Sequence, residues 1–205
     1  MEIKKKSKIL FLGDCITGWN RDYSNPEDLG NGYVARIADA IKNYRIEVIN
    51  KGTDEHRTID LLNEYEENVL KIKPDVITIY IGMNDVWHHF AKGIETTNEE
   101  FEHNFETLLE KIKEDLNIPI IIIEPFIIDI TPELTKMRAE LWQKVDIIRK
   151  LARKYASEYI ALDGSFASAC IKHEPTFYSL DGVHPTDEGH KFIARRWLRN
   201  IIIAD

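Results

Sequence analysis

The chain has 205 residues, of which 43% are hydrophobic and 30% charged, and a net charge of −8. Those figures fit one globular domain spanning residues 1–205 with a full core, and no basic stripe of the kind nucleic-acid phosphates require stands out, so no nucleic-acid partner is expected. No stretch approaches the roughly 18 apolar residues of a membrane span, and two cysteines, Cys15 and Cys170, make no disulfide framework. Lys4-Lys5-Lys6 has the charge of a secretion-signal start. The apolar run behind it, Ile9 to Leu12, is too short for a signal core and ends in Gly13-Asp14. A cytoplasmic location with reduced thiols is the expectation.

In chain order, residues 8–12 are the first predicted strand and run into Gly13-Asp14-Cys15. Residues 33–42 repeat apolar side chains at Val34, Ile37, Ala38 and Ile41, the spacing of a helix. A strand at 47–50 leads to Gly52, and a helix follows over 58–71 with Ile59, Leu62, Val69 and Leu70 inward. The run 76–81 is a third strand and ends in Gly82-Met83-Asn84-Asp85. Residues 98–115 carry Phe101, Phe105, Leu108, Leu109 and Ile112 on one helical face. Strands at 120–123 and 159–162 flank a helix at 132–156. A short helical stretch with Cys170 precedes Asp181-Gly182-Val183-His184-Pro185, and a helix over 187–201 follows. Continuous Ile/Val runs suit strands covered on both faces. Strand–helix alternation predicts a three-layer α/β/α sandwich on about five parallel strands. Ligands in such folds sit beyond the carboxyl ends of the strands, where all three of these polar blocks fall.

Taken singly, each block has a plain structural reading: a small buried thiol, a turn Asn, a loop with a local hydrogen bond. Taken together and in this order, they supply the parts of an acyl-transfer site. A nucleophile needs a base within about 3 Å and a third group that fixes the base. Cys15 is the candidate nucleophile, His184 the base, and Asp181 its orienting carboxylate. Asn84 offers a side-chain amide to a developing oxyanion, and the backbone N–H of Cys15 offers a second donor.

The chain resembles the SGNH, or GDSL-type, hydrolases over nearly its whole length. The words that carry the resemblance are Phe11-Leu12-Gly13-Asp14-Cys15-Ile16-Thr17, Leu29-Gly30-Asn31-Gly32-Tyr33-Val34, Val48-Ile49-Asn50-Lys51-Gly52, Ile81-Gly82-Met83-Asn84-Asp85-Val86-Trp87 and the Asp181–Pro185 block. Within that superfamily it is most similar to the bacterial carbohydrate acetylesterases, including acetylxylan esterases. The resemblance implies a flavodoxin-like sandwich and ester hydrolysis through an acyl-enzyme, with no metal or other cofactor. It implies catalytic roles for Cys15, Asp181 and His184, and oxyanion or substrate-binding roles for Asn84, Gly52, Glu55, Asp14 and Trp87. The expected partner is a small-molecule or oligosaccharide acyl ester, with a homo-oligomer left open.

Two positions depart from that pattern. Cys15 stands where the family carries Ser, so a thioesterase, an acyltransferase, or an impaired or nucleophile-mutated homologue that binds a glycan are alternatives to an esterase. Glu55 stands where the family carries an oxyanion Gly. If that position is left-handed, Glu55 costs about 1–2 kcal/mol there. A carboxylate about 5 Å from an oxyanion would repel it by roughly 3 kcal/mol at an effective dielectric of about 20. Glu55 must therefore turn away, pair with a cation such as Arg57, or inhibit ester hydrolysis. Losing both the Ser and the Gly points to divergence more than to a single replaced nucleophile. Among the remaining residues, Trp87 and Tyr23 are candidate sugar platforms. His56 reads as a solvated loop residue, and the Glu/Lys face of 98–115 as a solvated helix surface. His88-His89 lacks metal-ligand spacing.

Overall fold

The computed structural model describes residues 1–204. Within them, five parallel strands form the central sheet in the order β3-β2-β4-β5-β6. These are β2 (Lys8–Gly13), β3 (Glu47–Gly52), β4 (Val76–Tyr80), β5 (Ile120–Ile123) and β6 (Glu158–Ile160). β4 and β5 are buried at every position, because helices cover both faces and leave no polar side of the sheet. On one face pack α1 (Tyr33–Ile41), α6 (Asp163–Ala169) and α7 (Asp187–Asn200), around a core with Phe11, Tyr33, Phe166 and Trp197. On the other lie α2 (Thr58–Asn63), α4 (Asn98–Asp115) and α5 (Pro132–Tyr155), around Leu12, Ile79, Phe105 and Leu109. α3 (Met83–Lys92) packs against α5 with Val86, Leu141 and Val145 between them.

The expected α/β/α sandwich is the observed fold, with local differences, one of them the ten-residue α3, which is not among the predicted elements. A two-stranded parallel sheet joins β1 (Glu2–Lys4) to β7 (Ile202–Ala204), with Ile3 opposite Ile203. The helix expected over 58–71 breaks after Asn63, and Glu66–Leu70 is a π-helical turn. The last strand of the central sheet is Glu158–Ile160, and Leu162 instead stands just before α6 in the core. The charged face of α4 is not simply solvated. Glu102 pairs with Lys150, and Lys154 reaches Glu106 at 2.9 Å and Glu110 at 3.7 Å, so the face is laced to α5.

Register sets the site. Gly13 at the end of β2 lies opposite Gly52 of β3 and Tyr80 of β4. The three connections that leave these ends therefore start abreast. Gly52 also meets the turn after β2 so closely that a Cβ there would sit 2.1 Å from the Gly18 nitrogen. Gly52→Ala must push backbone aside, and overpacking of this kind costs about 1–3 kcal/mol. The expected result is a melting temperature lowered by several degrees, read by thermal unfolding.

Candidate active site

Cys15 sits in the turn that follows β2. The Asp14 carbonyl accepts from the Gly18 N–H at 2.9 Å, and Asp14 Oδ1 accepts from the Ile16 N–H at 3.0 Å. Asn50 on β3 fixes the same turn from beside it. Its Nδ2 donates to the Thr17 and Leu29 carbonyls at 2.8 and 2.9 Å, and its Oδ1 accepts from the Gly52 N–H at 2.8 Å. One amide thus ties together three of the words that carry the family resemblance.

The Asp181–His184 turn enters the cleft from the far end of the chain. Ser179 and Pro185 form an antiparallel bridge at its base. Asp181 Oδ1 accepts from the Val183 and His184 N–H groups at 3.0 and 2.7 Å, and Oδ2 lies 2.6 Å from His184 Nδ1. Ser179 Oγ lies 3.1 Å from Asp181 Oδ1 and 2.7 Å from the His184 carbonyl. Burial works against the Asp181 charge, but the His184 ring and the two backbone N–H groups outweigh it and hold the carboxyl well below its usual range. An ionised Asp181 only accepts, so His184 Nδ1 carries the proton and Nε2 presents its lone pair. Nε2 lies 3.7 Å from Cys15 Sγ, within reach of an S–H donor.

The bond to Asp181 also raises His184 above its ordinary value of 6.5, with burial opposing. The free base is the form that can take a proton. The acid limb of kcat/KM is therefore expected to have its midpoint above 6.5, and Asp181→Asn to move it down, checked by pH–rate profiles of both proteins.

Asn84 stands in the first turn of α3, after Gly82, whose φ of +119° is a glycine conformation. Asn84 is 7% exposed, and its Nδ2 donates to the His56 carbonyl at 3.1 Å. One N–H is thereby spent on orientation and the other stays free for the cleft. Asp85, next in the chain, is buried and accepts from Thr58 Oγ1 at 2.8 Å and from the Thr58 N–H at 3.1 Å. That clamps the start of α2, and with it residues 53–57, to α3.

Glu55 has φ +62°, so the strained left-handed conformation is present. Its carboxylate turns outward to Lys92 Nζ at 2.6 Å, which holds it below the usual carboxylate range. The partner is Lys92 on α3 and not Arg57, which faces Asp60 at 3.7 Å. His56 is not a solvated loop residue: its side chain is 14% exposed, with Nε2 3.6 Å from Glu64. His88 is buried beside Lys92, and His89 meets Glu140 at 2.8 Å. Among the described residues no group of three or more His, Cys, Asp or Glu side chains could hold a metal ion.

Cys15, Asp14, Glu55, Asn84, Trp87 and His184 line one cavity of about 530 Å³. Asp181 stands behind His184. Gly52 stands behind the wall, where its carbonyl accepts from Arg21 Nη1 at 3.0 Å. Tyr23 is on the rim, 48% exposed, and its hydroxyl accepts from the Asp54 N–H at 3.1 Å. Sequence reasoning missed Trp19, Arg21 and Asp54, which share the lining. Trp19 lies between His184, 6.0 Å between ring centres, and His190, 5.0 Å. His190 is lowered to about 4 by burial, so it stays neutral and accepts from the Tyr33 N–H at 3.2 Å. Trp19, four residues past Cys15, was the available signal; nothing local marked Arg21 or Asp54.

The sequence profile of the GDSL-like lipase/acylhydrolase family matches residues 11–192. The chain belongs to that family. An acetylxylan esterase from Geobacillus stearothermophilus is 32% identical over 98% of this chain and 96% of its own length. The crystal structure of a catalytic mutant of that enzyme superposes with a TM-score of 0.88 at 31% identity, covering 97% of this chain and 95% of that one. An alpha/beta hydrolase from the metagenome of Lake Arreo, Spain, superposes with a TM-score of 0.87 at 26% identity, covering 96% and 95%. Family membership makes this chain a GDSL-type hydrolase acting on esters, and it is similar over nearly its whole length to an acetylxylan esterase. Among the described residues no helix is long and apolar enough to cross a membrane.

Proposed function

We propose that the protein removes short acyl groups, acetyl foremost, from a carbohydrate, through a covalent thioester on Cys15. The observation that carries this reading is the line of contacts from Cys15 Sγ to His184 Nε2, 3.7 Å, and from His184 Nδ1 to Asp181 Oδ2, 2.6 Å. As Sγ bonds to the acyl carbon, its proton moves to Nε2 and the carbonyl π pair moves to oxygen. Asn84 Nδ2 and the Cys15 and Glu55 backbone N–H groups then face that oxyanion. Collapse breaks the C–O bond, and the imidazolium returns its proton to the leaving alcohol. Water, deprotonated by the same ring, releases the acid and restores the thiol.

A cavity of about 530 Å³ suits a sugar-sized group, and Trp19, Trp87 and Tyr23 offer apolar faces for sugar rings. Catalytic mutants of the Geobacillus acetylxylan esterase change a Ser, an Asp and a His. The last two stand in that chain at the same spacing as Asp181 and His184. A second reading, a glycan-binding homologue with impaired chemistry, draws on the left-handed Glu55 and on the replaced Ser. Intact-protein mass spectrometry after incubation with p-nitrophenyl acetate separates the two. One added acetyl group that is lost on standing, and that is absent in Cys15→Ala, is the expected result. No adduct and no p-nitrophenol release overturns the esterase reading.

A further inference from the structure

We infer that Arg138 and Asp163 are positioning residues that hold the strap between β5 and α5 on which the Asp181–His184 turn rests. They thereby set where the His184 ring stands relative to Cys15 Sγ. The inference deepens the proposed esterase reading, since it rests on His184 being the base.

The ends of the catalytic turn are tied to each other by the Ser179–Pro185 bridge. Its middle leans on another part of the chain. The Gly182 carbonyl accepts from the Ile128 N–H at 2.8 Å. The approach is so close that a Cβ on Gly182 would sit 2.5 Å from the Ile128 carbonyl oxygen. Ile128 belongs to residues 124–130, which run from β5 towards α5 with no helix or strand of their own. Such a strap has no ladder to fix it along its length, so side chains must satisfy and place its backbone.

Arg138, in the second turn of α5, does this with its guanidinium fork. Nη1 lies 2.9 and 3.0 Å from the two Asp163 carboxylate oxygens, and Nη2 donates to the Ile127 carbonyl. Asp163, at the start of α6, accepts in turn from the Ile127 N–H, 3.3 Å from Oδ1. One ion pair thus grips both backbone polar groups of Ile127, and the next N–H along the chain is the one that carries Gly182. Asp129, also on the strap, lies 2.6 Å from Arg138 Nε. The Arg138 and Asp163 side chains are only 13% and 12% exposed, so water competes little for the pair. Trp142 covers it, with Nε1 3.4 Å from Asp163 Oδ2 and its ring centre 5.7 Å from the guanidinium carbon. Neither Arg138 nor Asp163 lines the cleft. A planar fork can hold a carboxylate and a carbonyl at once, which a single ammonium cannot do in fixed geometry.

The bonds between Asp181 and His184 lie wholly within the turn. Releasing the strap therefore moves the ring away from the sulfur without parting it from Asp181. Misplacement of about 1 Å in a reacting contact costs about 100-fold in rate, and the contact at stake is the 3.7 Å from His184 Nε2 to Cys15 Sγ.

The test compares Arg138→Lys, which keeps the charge beside Asp163 and loses the fork, with Arg138→Gln, which loses both. Each is checked for folding by circular dichroism, and Arg138→Lys carries the test if Arg138→Gln does not fold. On p-nitrophenyl acetate, kcat is expected to fall by about 10–100-fold with KM little changed. The acid limb of kcat/KM is expected to keep its midpoint, unlike that of Asp181→Asn, because Asp181 travels with His184. Exchange of the Ile128 amide, followed by NMR, is expected to quicken. A pair that serves stability alone would lower the melting temperature and leave kcat of the folded protein unchanged. A folded Arg138→Lys protein with kcat within about threefold of the unsubstituted one overturns the inference. Amide exchange needs no ester chemistry, so it separates the two readings. If the unsubstituted protein turns over no ester, the esterase reading falls. Unchanged Ile128 exchange in Arg138→Lys then overturns the clamp as well, whereas faster exchange leaves it standing.

Discussion

His184→Ala is expected to lower turnover of p-nitrophenyl acetate by about 10³-fold, and that of a sugar acetate by more. The difference follows from the leaving groups. p-Nitrophenolate departs without a proton, so the activated ester loses only the base step. A sugar alkoxide must be protonated as it leaves, so a sugar ester loses the acid step as well. The effect should be chemical and not structural, because the His184 ring makes its bonds to Asp181 and Cys15 at the cleft and is only half-buried. Steady-state kinetics on both esters, beside a circular dichroism spectrum, checks this. Rates within tenfold of the unsubstituted protein on both esters would show that His184 is not the base.

Asn84→Ala is expected to lower kcat by about 10²–10³-fold with KM little changed, because the amide acts on charge that develops only in the transition state. Its geometry supports an effect of that size. The side chain is 7% exposed and one of its N–H groups is fixed on the His56 carbonyl, so the other is preorganised. Its place in the first turn of the ten-residue α3 adds the positive end of the helix dipole. Truncation also strips the His56 carbonyl of its donor, which costs stability of about 1–3 kcal/mol. Asn84→Asp fills the same space without the N–H and should lose kcat to a similar extent. Recovery of kcat in that variant would argue that shape, not hydrogen bonding, is what Asn84 supplies.

The five strands of the central sheet were legible because they are buried on both faces, and such strands must be written as apolar runs. β1 and β7 were not. Each has three residues, β1 reads Glu-Ile-Lys, the apolar β7 follows directly on the last helix, and what makes them strands is a pairing across the whole chain, Glu2 with Ile202. The end of β6 was misread because Leu162 is apolar for core packing and not for the sheet. The π turn at Glu66–Leu70 left no mark, since its apolar residues still read at helical spacing. In the site, Cys15, Asn84, Asp181 and His184 were legible because each sits in a short polar block at the end of an apolar run or on one tight turn. The Glu55 partner was not. Lys92 lies 37 positions on and is brought back by α3, whereas Arg57 is close only along the chain. Trp19 and Asp54 were hidden for the same reason, since their meaning lies in what the fold places opposite them.

The order β3-β2-β4-β5-β6 puts the strand that leads to Glu55 at the margin of the sheet, while the strands that lead to Cys15 and Asn84 each have a neighbour on both sides. The cleft accordingly has a floor anchored by the sheet and one wall held mainly by side chains. Residues 53–57 lean on a single ladder, β2 with β3, and are held otherwise by Thr58 on Asp85 and Lys92 on Glu55, so a change there leaves the Cys15 sulfur in place but reaches the Asn84 amide through the His56 carbonyl. Directed evolution of that margin therefore has to spare the His56 carbonyl, and Thr53 and Asp54 are the positions there where a longer or differently charged side chain disturbs least.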